Sequence, residues 1–182
     1  MYPFARLFWQ FRKHRKDRPL GLFEEHVSRH ICWPWDLDPW RELNNGRTLT
    51  LYDLGRLPLG RRIGLLEAMR SRGWGLTVAG STIRYRHRVR AFDRVTMRSR
   101  TVGWDHRFLY VEQSMWLSDG TCASHALIRS AIVGTSGIVS PAEALEDLGG
   151  KEAQDTLPPW VQAWTEAEAL RPWPPMSGPD TP

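Results

Sequence analysis

Apolar residues recur along the chain with two periods, and the changes of period mark its elements. Phe4, Leu7, Phe8 and Phe11 fall at helical spacing before a basic run, and Pro19 closes that segment. Val27, Ile31, Trp33 and Trp35 stand among polar neighbours, which predicts a first strand within residues 22–35. A loop from Asp36 to Asn45 follows, then helical spacing over residues 47–56, with Leu49, Tyr52 and Arg56 on one face. Leu57-Pro58-Leu59-Gly60 predicts a break, because proline lacks a donor and crowds the preceding turn. A second helix is expected over Arg61–Arg72, with Ile63, Leu66 and Met69 inward and Gly73 as its stop.

From Gly75 the period becomes two. Ile83, Tyr85, His87, Val89 and Ala91 alternate with Arg84, Arg86, Arg88 and Arg90, predicting one strand with an apolar and a basic face. Residues 91–94 read as a turn, 95–102 as a strand and 103–106 as a turn. Residues 107–117 are apolar on both faces and therefore central. Ser118-Asp119-Gly120 is a hairpin signal before a last strand, Cys122–Val133. Strand, helix, then a meander of four antiparallel strands is an α+β order. Beyond it, Ser140-Pro141-Ala142-Glu143 predicts a capped helix reaching Leu148 and stopping at Gly149-Gly150. Trp160, Val161 and Trp164 form another apolar-spaced piece, and the end is too rich in proline for regular structure. The expected division is an N-terminal extension at 1–20, a domain at 21–139 and a helical C-terminal arm at 140–182.

Composition narrows the function classes. The chain has 182 residues, 41% of them hydrophobic and 25% charged, the balance of a globular domain. Its net charge of +5 rests mostly on arginine, with lysine only at Lys13, Lys16 and Lys151, and calls for anionic partners without choosing among them. Cys32 and Cys122 are far apart and have no partner at ligand spacing, so neither a metal nor a redox cofactor is expected. No run reaches bilayer-spanning length and the N-terminus lacks a signal-peptide pattern, from which a cytoplasmic location is expected. The basic, aromatic N-terminus fits either an anionic membrane surface or packing on the domain or a second subunit.

The stretch Trp33 to Arg56 carries the chemistry, since a strand passing into a helix brings carboxylates to free backbone N–H groups. It resembles the loop and helix start of the hotdog-fold acyl-CoA thioesterases of the 4-hydroxybenzoyl-CoA type, roughly D-x-D-x-x-G-H-V-N-N and then a helix with an acid and an Arg. Asp36, Asp38, Asn44, Asn45, Asp53 and Arg56 fall on this pattern without a gap, whereas Arg41 replaces the usual Gly and Glu42 a frequent His. The resemblance implies a hotdog fold, a curved antiparallel sheet wrapped around a central helix, acting as a homodimer or homotetramer on an acyl-CoA or related thioester.

It places Asp38 as nucleophile or general base and the helix start at Asn45 and Gly46 as the oxyanion site. A turn-capping carboxylate accounts equally for an Asp before Pro39. Glu42, Asp53 and Glu67 are the alternative acids, although an ion pair with Arg56 also explains Asp53. Arg84, Arg86 and Arg88 suit CoA phosphates or a solvated sheet face, and Trp40 suits an acyl pocket or core filling. Nucleic acid is not expected, because the apolar residues between these arginines alternate to the other face and leave no stacking platform. His125 and Ser124 lack a triad partner at any familiar spacing. A hotdog protein that binds an acyl ligand without hydrolysing it, and a peripheral membrane or interaction protein, are the competing readings.

Overall fold

The computed structural model describes residues 2–148, 157–172 and 174. Helix α1 (Phe4–Lys13) leads into strand β1 (His26–Ile31), and a 3-10 turn at Pro34–Asp36 precedes the long helix α2 (Asn45–Arg62) and the short α3 (Leu65–Ser71). Strands β2 (Gly75–Tyr85), β3 (Arg94–Trp104), β4 (Phe108–Trp116), β5 (Cys122–Gly134) and β6 (Gly137–Val139) follow, then α4 (Pro141–Leu145) and α5 (Pro159–Ala169).

The six-stranded sheet is antiparallel with order β1-β3-β4-β5-β2, and β6 pairs with the end of β5. Only β3, β4 and β5 form a meander. The expected fourth strand of that meander, β2, instead crosses to the far side of β5, with Gly75 opposite Val133 and Tyr85 opposite Ser124. Local alternation fixes which face a residue takes but not which neighbour its strand chooses.

Helix α2 lies across one face of this sheet. Leu51, Tyr52 and Leu54 pack with Val95, Met97, Met115, Ala126 and Ile128. Further along, Leu59 and Ile63 pack with Leu109, Val111 and Ile132. At Gly55 the helix comes so close to β3 that an added Cβ would collide with Met97 Sδ. Pro58 does not end the helix, contrary to expectation. Proline inside a helix costs about 3 kcal/mol, while each fully buried leucine returns about 1.5–3 kcal/mol, and Leu51, Leu54 and Leu59 are all buried around it.

Other boundaries differ from expectation as well, and because α2 runs on to Arg62 the second helix begins at Leu65 instead of Arg61. The first strand ends at Ile31, and Trp33 and Trp35 lie beyond it, because Pro34 opens the 3-10 turn. The arginine-rich strand ends at Tyr85, so only Arg84 of the four arginines is in it; the stretch up to Arg90 runs on as an irregular segment in which Arg86 and His87 N–H both reach the carbonyl of Ala123. Ser140 begins α4 without a side-chain cap, Pro141 at the first helical position doing that work. The expected stop at Gly149-Gly150 and most of the proline-rich end lie outside the described residues.

The sheet's other face is covered over β4 and β5 by α5, where Leu157 and Val161 meet Tyr110 and Leu127. At the β1 edge α1 takes the place of a further strand. Arg6 donates to the Ile31 carbonyl at 2.8 Å and Gln10 to the Arg29 carbonyl at 3.2 Å, so side chains of α1 satisfy backbone groups that a neighbouring strand would otherwise take. Among the described residues no helix is long and apolar enough to cross a membrane.

Candidate active site at the start of helix α2

The loop before α2 is held from below by Asp36, which is buried. Its carboxylate accepts from Arg6 at 2.7 Å and from the Trp33 N–H at 3.1 Å, and its carbonyl accepts from the Asn44 N–H. Asp38 ties the loop's outer turn: one carboxylate oxygen takes the N–H groups of Trp40 at 2.9 Å and Glu42 at 3.3 Å. Arg41 sits in the left-handed region, φ 61°, so the backbone follows the path glycine would take although an arginine occupies it.

Asn44 caps α2. Its Oδ1 accepts from Gly46 N–H at 2.9 Å and Arg47 N–H at 3.2 Å. Gly46 therefore spends its N–H inside the chain, and Asn45 N–H is the first-turn donor with no acceptor among the described residues. That donor sits at the positive end of an 18-residue helix.

A cleft of about 300 Å³ opens here, lined by residues of the loop, α2, β5 and the segment after β2. Glu42, Asn45, Arg86 and Arg88 line it together. Glu42 lies 2.8 Å from Arg88 Nε, so the cleft holds a carboxylate already balanced by a guanidinium. Beneath them the Tyr52 hydroxyl and Ser124 Oγ, both buried, are 2.8 Å apart. Burial pushes the Tyr52 phenol well above its ordinary range, so it stays protonated and acts as a hydrogen-bonding group rather than a base. Tyr85 and Thr48 line the same cleft, and the Tyr85 phenol is raised by burial as well.

The other candidates lie elsewhere. Trp40 stands at the loop tip, 75% exposed. Asp53 points along α2 to Arg56, with which it forms an ion pair; burial raises its carboxyl against the lowering effect of that arginine. Arg56, itself buried, donates to Gln113 at 3.1 Å, and Gln113 in turn donates to Ser99 and the Tyr52 carbonyl, a polar network between helix and sheet. Glu67 is exposed on α3, past the opposite end of α2. Arg84 lines a different cleft, with Glu112, His125, Trp160 and Trp164. His125 does have a carboxylate partner, Glu112 at 2.8 Å, but it leans toward α5 while its neighbour Ser124 turns toward α2, so the three form no triad. Tyr85, Thr48 and His87 line the cleft and Tyr52 lies beneath it, although periodicity alone reads Tyr52 as a helix-face residue and Tyr85 and His87 as strand residues. Among the described residues no His, Cys, Asp and Glu cluster is able to hold a metal ion.

A single curved antiparallel sheet in the order β1-β3-β4-β5-β2, wrapped on a central helix whose N-terminus opens into the cleft, defines a hotdog-fold protein. Residues 32–165 match the family described as the Thioesterase-like superfamily, and the chain belongs to it. Protein THEM6 of Xenopus laevis is 36% identical over 116 residues, 63% of this chain and 56% of that protein. The chain spans about half the length of the first curated relatives it matches. Among solved structures, the probable thioesterase YbaW from Escherichia coli aligns with TM-score 0.61 at 20% identity, covering 69% of this chain and 97% of that one. The SAV2348 protein from Staphylococcus aureus, solved in complex with CoA, aligns with TM-score 0.59 at 11% identity, covering 78% and 94%. At such identities the likeness is one of fold.

Proposed function

We propose that this protein hydrolyses an acyl-CoA or related thioester in the cleft at the start of α2. The observation that carries the reading is the Asn45 N–H, a helix-end donor left without an acceptor at a cleft that also holds a carboxylate and two arginines. The thioester oxygen accepts from Asn45 N–H, where the helix dipole favours the negative charge that develops on attack. A carboxylate takes the proton of the attacking water, the new C–O bond forms as the C–S bond breaks, and the proton passes to the leaving thiolate. Asp38 is the first candidate for that carboxylate on the strength of the resemblance; it holds the outer turn of the adjoining loop through the N–H groups of Trp40 and Glu42 and is not among the residues that line the cleft. Glu42 is the second, since it lines the cleft itself. Arg86 and Arg88 suit the phosphates of CoA, and the CoA complex of a protein with this fold supports that carrier.

The same reading takes the working unit as a homodimer. Among the described residues strand β2, 11 residues long, has β5 on one side and an open edge on the other, while α1 covers the β1 edge. A second copy pairing there would place its own residues beside Tyr85 and the cleft.

Thiol release from short, long and aromatic acyl-CoA esters tests the assignment in the wild type, Asp38→Asn and Glu42→Gln. The expected result is release by the wild type and a fall of about two orders of magnitude or more in folded Asp38→Asn. A fall confined to Glu42→Gln transfers the role to Glu42. Binding of esters with no release from any of them points to a non-catalytic member of the fold.

A further inference from the structure

Away from the cleft, where β1 ends and β3 begins, lies a surface that the hydrolytic reading does not use. Lys13, Arg29 and Arg94 line a shallow depression of about 500 Å³ together with Ile31, Thr96 and Ser118. Helix α5 covers β4 and β5, and among the described residues this part of the outer sheet face stays open. None of the three cations has a carboxylate partner among the described residues.

The chain on either side of the depression carries aromatic side chains outward. Trp33 stacks on Trp35 with ring centroids 5.3 Å apart, and Phe92 meets Trp33 edge-on at 6.2 Å. Trp35 and Phe92 are 65% and 63% exposed. Phe92 also has φ 68°, a backbone state that costs any side-chain-bearing residue energy that glycine avoids. Phe92 thus holds a costly backbone state while most of its ring stays in solvent. On α1, Trp9 stands one turn before Lys13 and is exposed; Phe4 and Phe8 form the adjoining exposed row, and Arg12, Arg15 and Lys16 extend it. The nearby acids are already engaged: Asp36 with Arg6, Asp17 with His14, and Asp93 with the Arg90 N–H.

We propose that this surface seats on an anionic lipid bilayer, with Lys13, Arg29 and Arg94 on lipid phosphates and Trp9, Trp35 and Phe92 in the layer between headgroups and acyl chains. Exposed indole and phenyl rings beside Arg and Lys make the composition of a membrane-interface belt. Trp9, Trp35 and Phe92 are each more than half exposed, which suits a deformable lipid layer better than the fixed surface of an acidic protein. Resting on the thioesterase reading, the substrate class narrows to thioesters whose acyl chain is long enough to reside in the bilayer, taken up while the protein is docked.

Co-sedimentation of the full chain with vesicles of phosphatidylcholine alone, or of phosphatidylcholine with phosphatidylglycerol, tests the docking. Binding is expected only to the anionic vesicles, weakened about tenfold or more in Arg29→Glu/Arg94→Glu, since each basic residue adds to the attraction for an anionic leaflet. Phe92→Gly separates docking from folding: vesicle binding is expected to fall while the thermal midpoint holds or rises. Trp35→Ser supplies a second aromatic variant. Equal partition to both vesicles, no partition at all, or unchanged binding by the variants overturns the proposal, as does capture of an acidic carrier protein through Arg29 and Arg94 by a chain that ignores vesicles. Because sedimentation needs no turnover, a chain that docks but releases no thiol removes the hydrolytic reading alone, and one that releases thiol but never docks removes this one alone.

Discussion

Arg41 shows how much of a loop is set by backbone path and how little by the residue that follows it. The resemblance to the thioesterase pattern put glycine at this position, and the chain keeps glycine's left-handed conformation with an arginine in place. Holding an L-residue there costs roughly 1–2 kcal/mol, partly offset because glycine would loosen the unfolded chain by about 0.5–1 kcal/mol. Arg41→Gly is therefore expected to raise stability by a few tenths to about 1 kcal/mol, read from denaturant midpoints; a loss of stability would mean that the exposed Arg41 side chain makes a contact worth more than the strain. Asn44 was readable as part of the motif, but its consequence was not. By capping Gly46 and Arg47 it selects Asn45 as the open donor, a choice that depends on side-chain geometry no spacing reveals.

Among the elements, α1 is the one whose role the pattern of apolar residues hid. Its helical spacing was plain from Phe4, Leu7, Phe8 and Phe11, yet Phe4 and Phe8 face water, and beside Leu7, which packs on the core, the anchoring falls to Arg6, Gln10 and His14. Polar residues on an inward face leave no periodic signal. His14 meets His26 edge-on at 4.6 Å, and Arg62 donates to His26 Nδ1 at 3.0 Å, so that nitrogen must be free of a proton in the fold. His30 lies against Ser28 at 2.8 Å and Gln10 at 3.4 Å. Burial, with the positive charges of His14, Arg62 and Lys13, lowers His26 from 6.5 to about 4, the nearby Asp17 opposing only in part. Burial, with Arg6, Lys13 and the neighbouring histidines, lowers His30 to about 3. The unfolded chain takes up these protons near pH 6.5 and the fold does not, so stability is full above about pH 7 and falls as the pH drops from there toward 4. The loss should reach a few kcal/mol, with the amides of α1 and β1 exchanging first in hydrogen-exchange measurements. His26→Gln with His30→Gln should flatten the dependence; an unchanged slope would place the acid-sensitive groups elsewhere.

At the scale of the whole molecule, the α+β class and the number of main strands were legible, because period and turn residues decide them locally, whereas the central helix was implied by the resemblance and runs on through Pro58. The order of strands was not. The pairing of β2 with β5 depends on contacts between Gly75–Tyr85 and Cys122–Gly134, which no window along the chain contains. The division of the arginines followed from this: Arg84 faces one cleft, while Arg86 and Arg88 face another. The dimer proposed through β2 predicts a solution mass of twice 21.1 kDa by light scattering, and a single-chain mass at all concentrations would sink it. The two ends of the sheet carry a further consequence. With α1 seated on β1, and β6 only three residues long, β2 is the one long strand edge left open among the described residues, which gives each chain a valence of one for strand addition. A second copy that joins at β2 brings its own sealed side outward, so growth terminates at that step, and α1 acts as a stopper against fibre formation by the same sheet that invites a partner.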